Sequence, residues 1–366
     1  MPGKDERLKP GVRIRRIDLY INQQPFRFSF VSMHTKRRQA DGVLLRMETD
    51  DGVVGWGEST PRDYVSGETC ASVLALMRSR FAQPLFAADL GTTGQISALL
   101  DLLEARARVP SPVPATSALG AVDLALWDIW GQVCNTPAGL FFAPELLPRP
   151  ALSISVPIMP LEQIRELYPL TSDQGITHFK LVLSAEAKEN VARLALLRDL
   201  VGPQAIVTAD ANGKLPCGQV EAMLPALAAF GLAAIEQPAA KDDVEGLRRL
   251  RSRIDLPITV DESVCTLADA RCVIGLGACD TLKLKVSICG GLYATRKIQR
   301  FACQHGVACQ LGSHVGETAI LAAAGDVASQ ILPDLHFMEI GSAFLDSTFK
   351  HRMPVGSDSA TCSGLG

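Results

Sequence analysis

Hydrophobic and polar positions divide the chain into two regions with different periodicities. Residues 12 to 58 are rich in β-forming residues, which begin at Ile14, Ile17, Leu19 and Ile21. The polar stretch 34–41 is predicted to interrupt this strand pattern. Asp50, Asp51 and Gly52 then provide turn chemistry between two runs of β-formers, which predicts a hairpin. The region therefore begins as an antiparallel sheet.

Helical spacing follows this sheet. The pattern predicts helices over 71–80, 95–108 and 116–132. The last is the strongest, with Leu119, Val122, Leu126 and Ile129 on one face and Thr116 or Ser117 expected as its cap. Three strands followed by helices predict an α+β domain over residues 1–140.

From Ala151 the pattern changes to repeated β-then-α units. Eight strands are predicted to begin near Leu152, His178, Ala205, Leu232, Pro257, Asp280, Val307 and Leu335, with helical segments between them. Eight such repeats predict a parallel TIM-type barrel over residues 141–340, shorter than the usual length of about 250 residues. The last helix is the least defined by pattern, and the tail 341–366 is predicted to return to the first domain.

Three carboxylates stand where short apolar runs stop. Asp210 follows 205–209, Glu236 follows 232–235 and Asp261 follows 257–260, with separations of 26 and 25 residues. Since the carboxyl ends of parallel strands meet at one face of a barrel, these acids are predicted to converge. Oxygen ligands favour a hard cation, and Mg²⁺ is the usual one, with Mn²⁺ as a substitute. The alternative is that the acids form salt bridges to lysines at the strand ends.

Composition excludes several classes of function. A net charge of −3 offers no argument for binding nucleic acid or a membrane surface. The ten cysteines contain no C-x-x-C pair, and no stretch of the chain is long and apolar enough to span a bilayer. The N-terminus lacks the apolar segment of a signal peptide, so we expect a soluble cytoplasmic protein with reduced thiols.

A cation on three carboxylates suggests a definite chemistry. It would bind a substrate carboxylate and stabilise the charge that develops as a proton leaves the neighbouring carbon. The base should be a buried amine with a lowered pKa, and Lys285, at the end of the sixth strand, fits this role beside Lys283. The alternative is that Lys285 only neutralises Asp261 or Glu236.

These residues carry a resemblance that extends over nearly the whole chain. The stretches TDDGVVGWGE, SALGAVDLALWDIWGQ, ADAN, IEQP, VDES and KVSICGGL together resemble the enolase superfamily, in its muconate-lactonizing-enzyme subgroup, which is muconate cycloisomerase- and mandelate racemase-like. The resemblance implies a (β/α)7β barrel with an α+β capping domain and Mg²⁺ on Asp210, Glu236 and Asp261. It also implies proton abstraction α to a carboxylate, a small carboxylate-bearing substrate under the loops 27–38 and 60–67, and a homo-oligomer.

One position departs from the family pattern. The family usually carries K-x-K at the end of the second strand, whereas this chain has Lys180 followed two residues later by Val182. A valine transfers no proton, which argues against racemisation by two lysines. Lys180 is then either a replacement acid or base, or a charge partner for a metal-site carboxylate.

Five further residues are candidates for the site. Glu339, on the last strand, is either an acid or ammonium-binding group or a rim salt bridge. His314 is either a substrate contact or a structural histidine. Tyr64, Arg62 and Asn212 are predicted to contact the substrate. Gly290 and Gly291 begin a helix whose N-terminus is able to meet an anion.

The sequence thus predicts a Mg²⁺-dependent isomerase or lyase. The favoured outcome is an enediolate followed by cycloisomerisation or β-elimination, with Lys285 moving the proton. One alternative is a racemase or epimerase of an amino-acid or dipeptide-like substrate, with Lys180 replacing the missing lysine. Another is a non-catalytic relative that binds metal and ligand.

Overall fold

A computed structural model describes residues 11–107, 113–172 and 175–341. The chain begins with a three-stranded antiparallel sheet in the order β1 (Ile14–Val31), β2 (Lys36–Thr49) and β3 (Val54–Ser59). The predicted turn between β2 and β3 is confirmed, and Gly52 adopts the positive φ of +82° that favours glycine. The strand pattern is interrupted only at residues 32–35, so the interruption predicted over 34–41 is confirmed for 34–35 and wrong for 36–41, which belong to β2.

The polar residues of this stretch have a structural explanation. The turn end of the β1–β2 hairpin lies over the mouth of the barrel, where its polar side chains line a cavity. On one side, the backbone N–H of Ile158 donates to the carbonyl of Val31 at 2.9 Å. On the other, His34 Nε2 lies 3.4 Å from Glu262 Oε1. The hairpin therefore covers the mouth of the barrel.

Five helical segments cover one face of the sheet. They are α1 (Cys70–Leu76), a π-helical turn (Met77–Phe81), α2 (Ala82–Ala87), α3 (Thr93–Ala107) and α4 (Thr116–Cys134), followed by a 3₁₀ turn (Ala138–Phe141). The predicted helix over 71–80 thus breaks at Met77. Helix α4 is buried on nearly every side, and Gly57 lets β3 approach it, because a Cβ there would lie 1.8 Å from the carbonyl oxygen of Ala121.

The cap predicted for α4 is wrong. Neither Thr116 nor Ser117 caps the helix with its side chain. Instead, Glu68 reaches over from the loop after β3 and accepts hydrogen bonds from the backbone N–H groups of Ser117 at 2.9 Å and Ala118 at 3.2 Å. A carboxylate at a helix N-terminus satisfies its free donors and favours its dipole, whichever part of the chain supplies it.

The second region is a closed barrel of eight parallel strands. The strands are β4 (Ala151–Val156), β5 (His178–Val182), β6 (Ile206–Asp210), β7 (Leu232–Glu236), β8 (Ile258–Val260), β9 (Thr281–Leu284), β10 (Ala308–Leu311) and β11 (Leu335–Glu339). Their order around the barrel is β10-β11-β4-β5-β6-β7-β8-β9. Every predicted strand start lies within one residue of the observed one. The predicted barrel and its capping domain are confirmed.

Helices connect consecutive strands. They are α5 (Leu161–Ser172), α6 (Ala187–Val201), α7 (Cys217–Ala228), α8 (Val244–Arg251), α9 (Leu267–Gly275), the short α10 (Val286–Cys289), α11 (Gly291–Gln304) and α12 (Ala319–Ile331). The last helix, which the sequence pattern defined least, is well formed. The tail 341–366 was predicted to return to the first domain, and this prediction falls on residues outside the described part of the chain, which ends at Gly341. Within them, no helix has both the length and the apolar character to cross a membrane.

Buried carboxylates join the two regions. Glu58 at the end of β3 accepts the backbone N–H of Thr318, at 2.9 Å, and of Leu321, at 3.1 Å, at the start of α12. Asp123 of α4 accepts the N–H of Leu292 at 2.6 Å at the start of α11. The N-terminus of the helix after Gly290 is therefore occupied by an acidic side chain of this chain.

Asp123 should make stability depend on pH. Burial raises the pKa of Asp123 to about 7 in the folded protein, against about 4 in an unfolded chain. The folded state therefore binds this proton more tightly, and the stability that the protonated carboxyl contributes is lost as the pH rises from about 4 to 7. We expect Asp123→Asn to reduce this slope and to lower stability by about 1–3 kcal/mol, because its amide N–H₂ cannot accept the donors that Asp123 binds.

Urea unfolding of both proteins between pH 4 and pH 8 measures this effect. Asp51→Asn, which removes the same charge from the exposed turn after β2, is the control. An unchanged slope in Asp123→Asn would contradict the assignment.

Candidate active site and metal-binding residues

The barrel places the predicted acids and lysines at one end. Asp210 and Glu236 are paired in register as the last residues of β6 and β7, and Asp261 directly follows β8. Lys180 belongs to β5, and Lys285 follows β9 on the opposite side of the barrel. All five side chains are buried. The convergence predicted from equal spacing is therefore what the fold produces.

Lysine ammonium groups lie between these carboxylates. Lys180 Nζ is 3.0 Å from Asp210 Oδ2 and 2.8 Å from Glu236 Oε1. Lys283 Nζ contacts both oxygens of Glu236, at 3.0 and 2.9 Å. Lys285 Nζ lies 2.5 Å from Asp261 Oδ2. Charges buried this deeply require such partners, so the salt bridges held open as an alternative are present.

This pairing affects the pKa of Lys285. Burial alone would lower the pKa of Lys285, but the carboxylates of Asp261 and Glu262 outweigh burial and raise it above its ordinary value. The lowered pKa expected for a base is therefore not what this arrangement produces. Burial also raises the pKa of Asp261 to about 6, although Lys285 opposes that shift. In this arrangement Lys285 and Asp261 form a buried ion pair.

The donor set nevertheless suits a hard cation. Asp210, Glu236 and Asp261 offer only oxygen atoms, and Asp261 Oδ1 is buried with no hydrogen-bond partner among the described residues. Over the same residues, no three acidic, histidine or cysteine side chains are drawn together tightly enough to form a finished metal site. Lys180 Nζ lies between Asp210 and Glu236, and Lys285 Nζ contacts Asp261. A divalent cation would take over the neutralising role of these ammonium groups.

Two predicted residues of the second strand share this cavity. Lys180 and Val182 are both buried, and both line the cavity at the barrel mouth. Val182 is paired in register with Asp210. Val182, whose side chain has no titratable group, therefore lies where the family pattern has its second lysine. Lys180 lies two residues earlier on the same strand, among the acids.

Glu339 lies inside the barrel and not at its rim. Its carboxylate is 3.4 Å from Lys180 Nζ and 2.5 Å from Lys283 Nζ, and it also accepts a hydrogen bond from Ser155. Lys180 and Lys283 help to lower the pKa of Glu339 far below its usual range in spite of burial. It is thus a fixed anion beside the lysines.

The remaining candidates form the walls of the cavity. Arg62 is buried, and its guanidinium donates to the carbonyls of Pro61 at 2.9 Å and of Asp41 and Val315, both at 3.1 Å. Arg62 lines the cavity, but these hydrogen bonds join the capping loops to the loop after β10. This geometry supports a positioning role for Arg62, and its predicted contact with the substrate stays a prediction.

His314 and Asn212 each have one buried polar atom without a hydrogen-bond partner among the described residues. Burial lowers the pKa of His314 well below its ordinary value, so its imidazole is neutral. Its Nδ1 lies 3.4 Å from Thr60 Oγ1, and its Nε2 has no hydrogen-bond partner in the described part of the chain. Asn212, at a φ of +49°, donates to Asp210, and its Oδ1 is similarly unpartnered. Both side chains remain available to a substrate.

Of the side chains that the β1–β2 hairpin brings over the cavity, sequence reasoning gave no role to His34. Tyr64 was predicted, but its ring stacks on His34 with centroids 4.6 Å apart, and Arg37 lies 5.9 Å from the same ring. His34 was placed in the stretch interpreted as an interruption. A single histidine in a polar segment does not indicate a functional role by its sequence. Its position near Glu262 depends on the packing of the hairpin over the barrel.

Comparisons with known proteins agree with this architecture. Residues 12–139 match the family model described as mandelate racemase / muconate lactonizing enzyme, N-terminal domain, and residues 162–358 match the one described as enolase C-terminal domain-like. The chain belongs to the enolase superfamily. The resemblance inferred from the six sequence stretches is therefore confirmed.

Several enolase-superfamily enzymes resemble this chain over most of its length. An N-succinyl-L-Arg/Lys racemase from Bacillus cereus is 29% identical, over 86% of this chain and 83% of its own. Its crystal structure superimposes with a TM-score of 0.82, at 25% identity over 92% and 89% of the two chains. A hydrophobic dipeptide epimerase from Enterococcus faecalis is 26% identical over 92% and 91%, and muconate cycloisomerase 1 from Rhodococcus opacus is 26% identical over 84% and 79%.

One solved relative bears on the metal. A racemase from Streptomyces coelicolor with bound magnesium is 25% identical and superimposes with a TM-score of 0.79, over 90% of this chain and 89% of that one. Magnesium is therefore a plausible ion for a site of three carboxylates. The relatives also favour an isomerase and give the racemase or epimerase alternative more support than the cycloisomerase first favoured from sequence.

Proposed function

We propose that this protein is a Mg²⁺-dependent racemase or epimerase of N-acylated amino acids or dipeptide-like substrates. One observation carries the proposal. Lys180 and Lys285 come from strands on opposite sides of the barrel, yet both line the same cavity beside Asp210 and Asp261. Inversion at a carbon needs one proton-transfer group on each face, and these lysines are placed to provide them.

The residues have distinct roles in this proposal. Asp210, Glu236 and Asp261 would hold the cation, which supplies a Lewis acid for the charge that develops on the substrate carboxylate. A cation on Asp261 would remove the carboxylate charge that holds Lys285 as an ammonium, and the free amine would then take the α-proton. Lys180, held as an ammonium by Glu236 and its neighbours, returns a proton to the opposite face. One inversion leaves Lys285 as the ammonium and Lys180 as the free amine, which is the state that acts on the other enantiomer. Release of a proton from Lys285 to solvent and uptake of one by Lys180 restore the starting state.

A second candidate is one-lysine chemistry, namely cycloisomerisation or β-elimination. Val182 favours it, because this buried side chain lines the cavity at the position where the family pattern has a lysine. With Lys180 confined among the acids, Lys285 would be the only mobile base. Both candidates begin with the same proton abstraction.

Proton exchange in heavy water separates the possibilities. We expect both enantiomers of an N-acyl amino acid to exchange their α-proton for deuterium in the presence of Mg²⁺, with loss of optical activity, as measured by proton NMR and polarimetry. Exchange of one enantiomer without inversion would instead support the one-lysine candidate. No exchange with any N-acyl amino acid or dipeptide would contradict the proposal and leave a binding protein.

Val182→Lys tests the departure from the family pattern. If the native enzyme racemises slowly because Lys180 is displaced from the second face, the added lysine should raise the racemisation rate about tenfold or more, within the range of general acid–base catalysis. Val182→Met, which adds length without a titratable group, is the control. An equal or lower rate in Val182→Lys would show that Lys180 already serves that face.

A further inference from the structure

The loop after β10 is hydrogen-bonded to the segment that follows Lys285. Glu317, in this loop, is buried, and its Oε1 accepts two hydrogen bonds. One comes from Ser287 Oγ at 2.9 Å, and the other comes from the backbone N–H of His314 at 2.7 Å. Ser287 lies in α10, two residues after Lys285, whereas His314 belongs to the same loop as Glu317. A single oxygen atom therefore joins α10 to the loop after β10.

The direction of the Lys285 side chain depends on α10. The carbonyl of Lys285 accepts the backbone N–H groups of Ile288 at 3.1 Å and Cys289 at 2.8 Å, so Lys285 is the N-terminal cap of this helix. The helix consists of one turn, and a helix of this length has little stability of its own. The hydrogen bond from Ser287 to Glu317 therefore restricts the backbone that carries the Lys285 side chain.

The same loop contacts the aliphatic stem of Lys285. Gly312 begins the loop, and its N–H donates to the carbonyl of Leu284 at 2.7 Å. A Cβ at Gly312 would lie 3.0 Å from Lys285 Cγ and 2.6 Å from Lys283 Cε, so the stems of both lysines pass directly over its backbone. The loop thus packs against the side chain of Lys285 and, through Ser287, holds its backbone.

The capping domain fixes this loop from the other side. Glu58 of β3 accepts the backbone N–H of Thr318 at 2.9 Å and the Thr318 hydroxyl at 2.6 Å. Thr318 directly follows Glu317 in the chain. Glu317 is therefore attached to both domains, which makes it a fixed point from which Lys285 can be positioned.

Glu317 lies behind the cavity. Lys285 and His314 line the cavity at the barrel mouth, whereas Glu317 is not among the described side chains that do so. Burial raises the pKa of Glu317 to about 7, although the hydrogen bonds from His314 and Ser287 and the charge of Lys285 oppose this shift. Because Glu317 does not face the space that a substrate would fill, it can act on the reaction only through its neighbours.

We propose that Glu317 is a positioning residue for proton transfer, and that it holds Lys285 in the cavity through Ser287 and the loop after β10. This inference rests on the proposed function for the proton that Lys285 takes. The role requires an acceptor oxygen at this place and no proton transfer by Glu317 itself. An amide oxygen can accept the same hydrogen bonds, whereas an aliphatic side chain cannot.

Variants of Glu317 and Ser287 test this role by the rate of α-proton exchange, normalised to the number of Mn²⁺-binding sites. Glu317→Ala removes both hydrogen bonds, and we expect it to lower kcat about 10- to 100-fold with little change in KM, as a misplaced reacting group does. The loss should be larger for the enantiomer that Lys285→Ala affects most. Ser287→Ala should act in the same direction, and Glu317→Gln should keep most of the rate.

Glu189→Ala is the matched control. Glu189 is exposed in α6 and accepts a hydrogen bond from Ser184 Oγ at 2.6 Å, so this variant also breaks a Ser–Glu pair of a barrel loop. It leaves the segment around Lys285 intact, and we expect native rates for both enantiomers.

A measurement without substrate separates this inference from the proposed function. In protein with Mg²⁺ and ¹³C,¹⁵N-labelled lysine, the Cε–Nζ correlation of Lys285 is identified by its absence from Lys285→Ala. We expect this NMR signal to shift or broaden in Glu317→Ala and in Ser287→Ala, and to keep its native position in Glu317→Gln and Glu189→Ala.

Several results would overturn the inference. They are native exchange rates in Glu317→Ala, equal losses in Glu317→Ala and Glu317→Gln, or a native Lys285 signal in Glu317→Ala. If Glu317→Ala does not fold, a native Lys285 signal in Ser287→Ala has the same meaning. Absence of α-proton exchange in the native protein would instead contradict the proposed function, and the Lys285 signal would still decide whether Glu317 positions this lysine.

Discussion

Replacing Lys285 by alanine is expected to lower the rate of α-proton exchange by about 10²- to 10⁴-fold, the usual contribution of a positioned acid or base. Lys285 Nζ lies in the cavity 2.5 Å from Asp261, on the side of the barrel opposite Lys180. Without this amine, no other lysine of the described cavity can reach that face. Exchange measured by NMR in heavy water, for each enantiomer separately, gives the effect.

Two further variants make the result specific. Lys285→Arg keeps the positive charge but cannot act as a base near neutral pH, so it should be nearly as impaired as Lys285→Ala. Lys297→Ala removes a lysine of α11 whose side chain is 36% exposed, and it should retain full activity. Unchanged exchange in Lys285→Ala, with the protein still folded by circular dichroism, would reject Lys285 as the base.

Loss of the metal should be as severe. Chelation is expected to abolish exchange, and Mg²⁺ to restore it, because the charge that develops on the substrate carboxylate would lack its counterion. Asp261→Asn removes one of three charged ligand groups. We expect it to weaken divalent-cation binding by about 100-fold or more, since loss of outer-shell partners alone costs 10–100-fold at metal sites.

Manganese binding measures this step without catalysis. The electron paramagnetic resonance signal of free Mn²⁺ reports how much ion the protein binds, and Mg²⁺ competition gives its affinity. Asp255→Asn is the control, because Asp255 is an exposed acid before the same strand that Asp261 follows. Equal Mn²⁺ affinity in Asp261→Asn and the native protein would exclude Asp261 as a ligand.

The local patterns of the sequence were sufficient for the barrel. Short apolar runs at regular intervals define strands that are buried on both faces, so each strand start was predicted to within one residue. Asp210, Glu236 and Asp261 end such runs, and the geometry of a parallel barrel then brings their side chains to one mouth. No long-range information is needed for either inference.

Predictions failed where a partner lies far along the chain. Glu68 caps a helix 48 residues later, and Asp123 caps one 169 residues later, so neither cap has a local sequence pattern. The β1–β2 hairpin is polar because it lies over the barrel, and an isolated strand would not carry that pattern. The pKa of Lys285 rises for the same reason, because Asp261 and Glu262 arrive from another strand.

The sequence by itself therefore determined the order of strands and helices, the superfamily and the three acids, since these depend on residue type and periodicity. Only the tertiary structure decided which lysine neutralises which acid, which helices the buried carboxylates cap, and that Arg37 and His34 line the cavity. Such pairings are set by distance in space, and a low-dielectric interior makes each of them count far more than the same charges do in water.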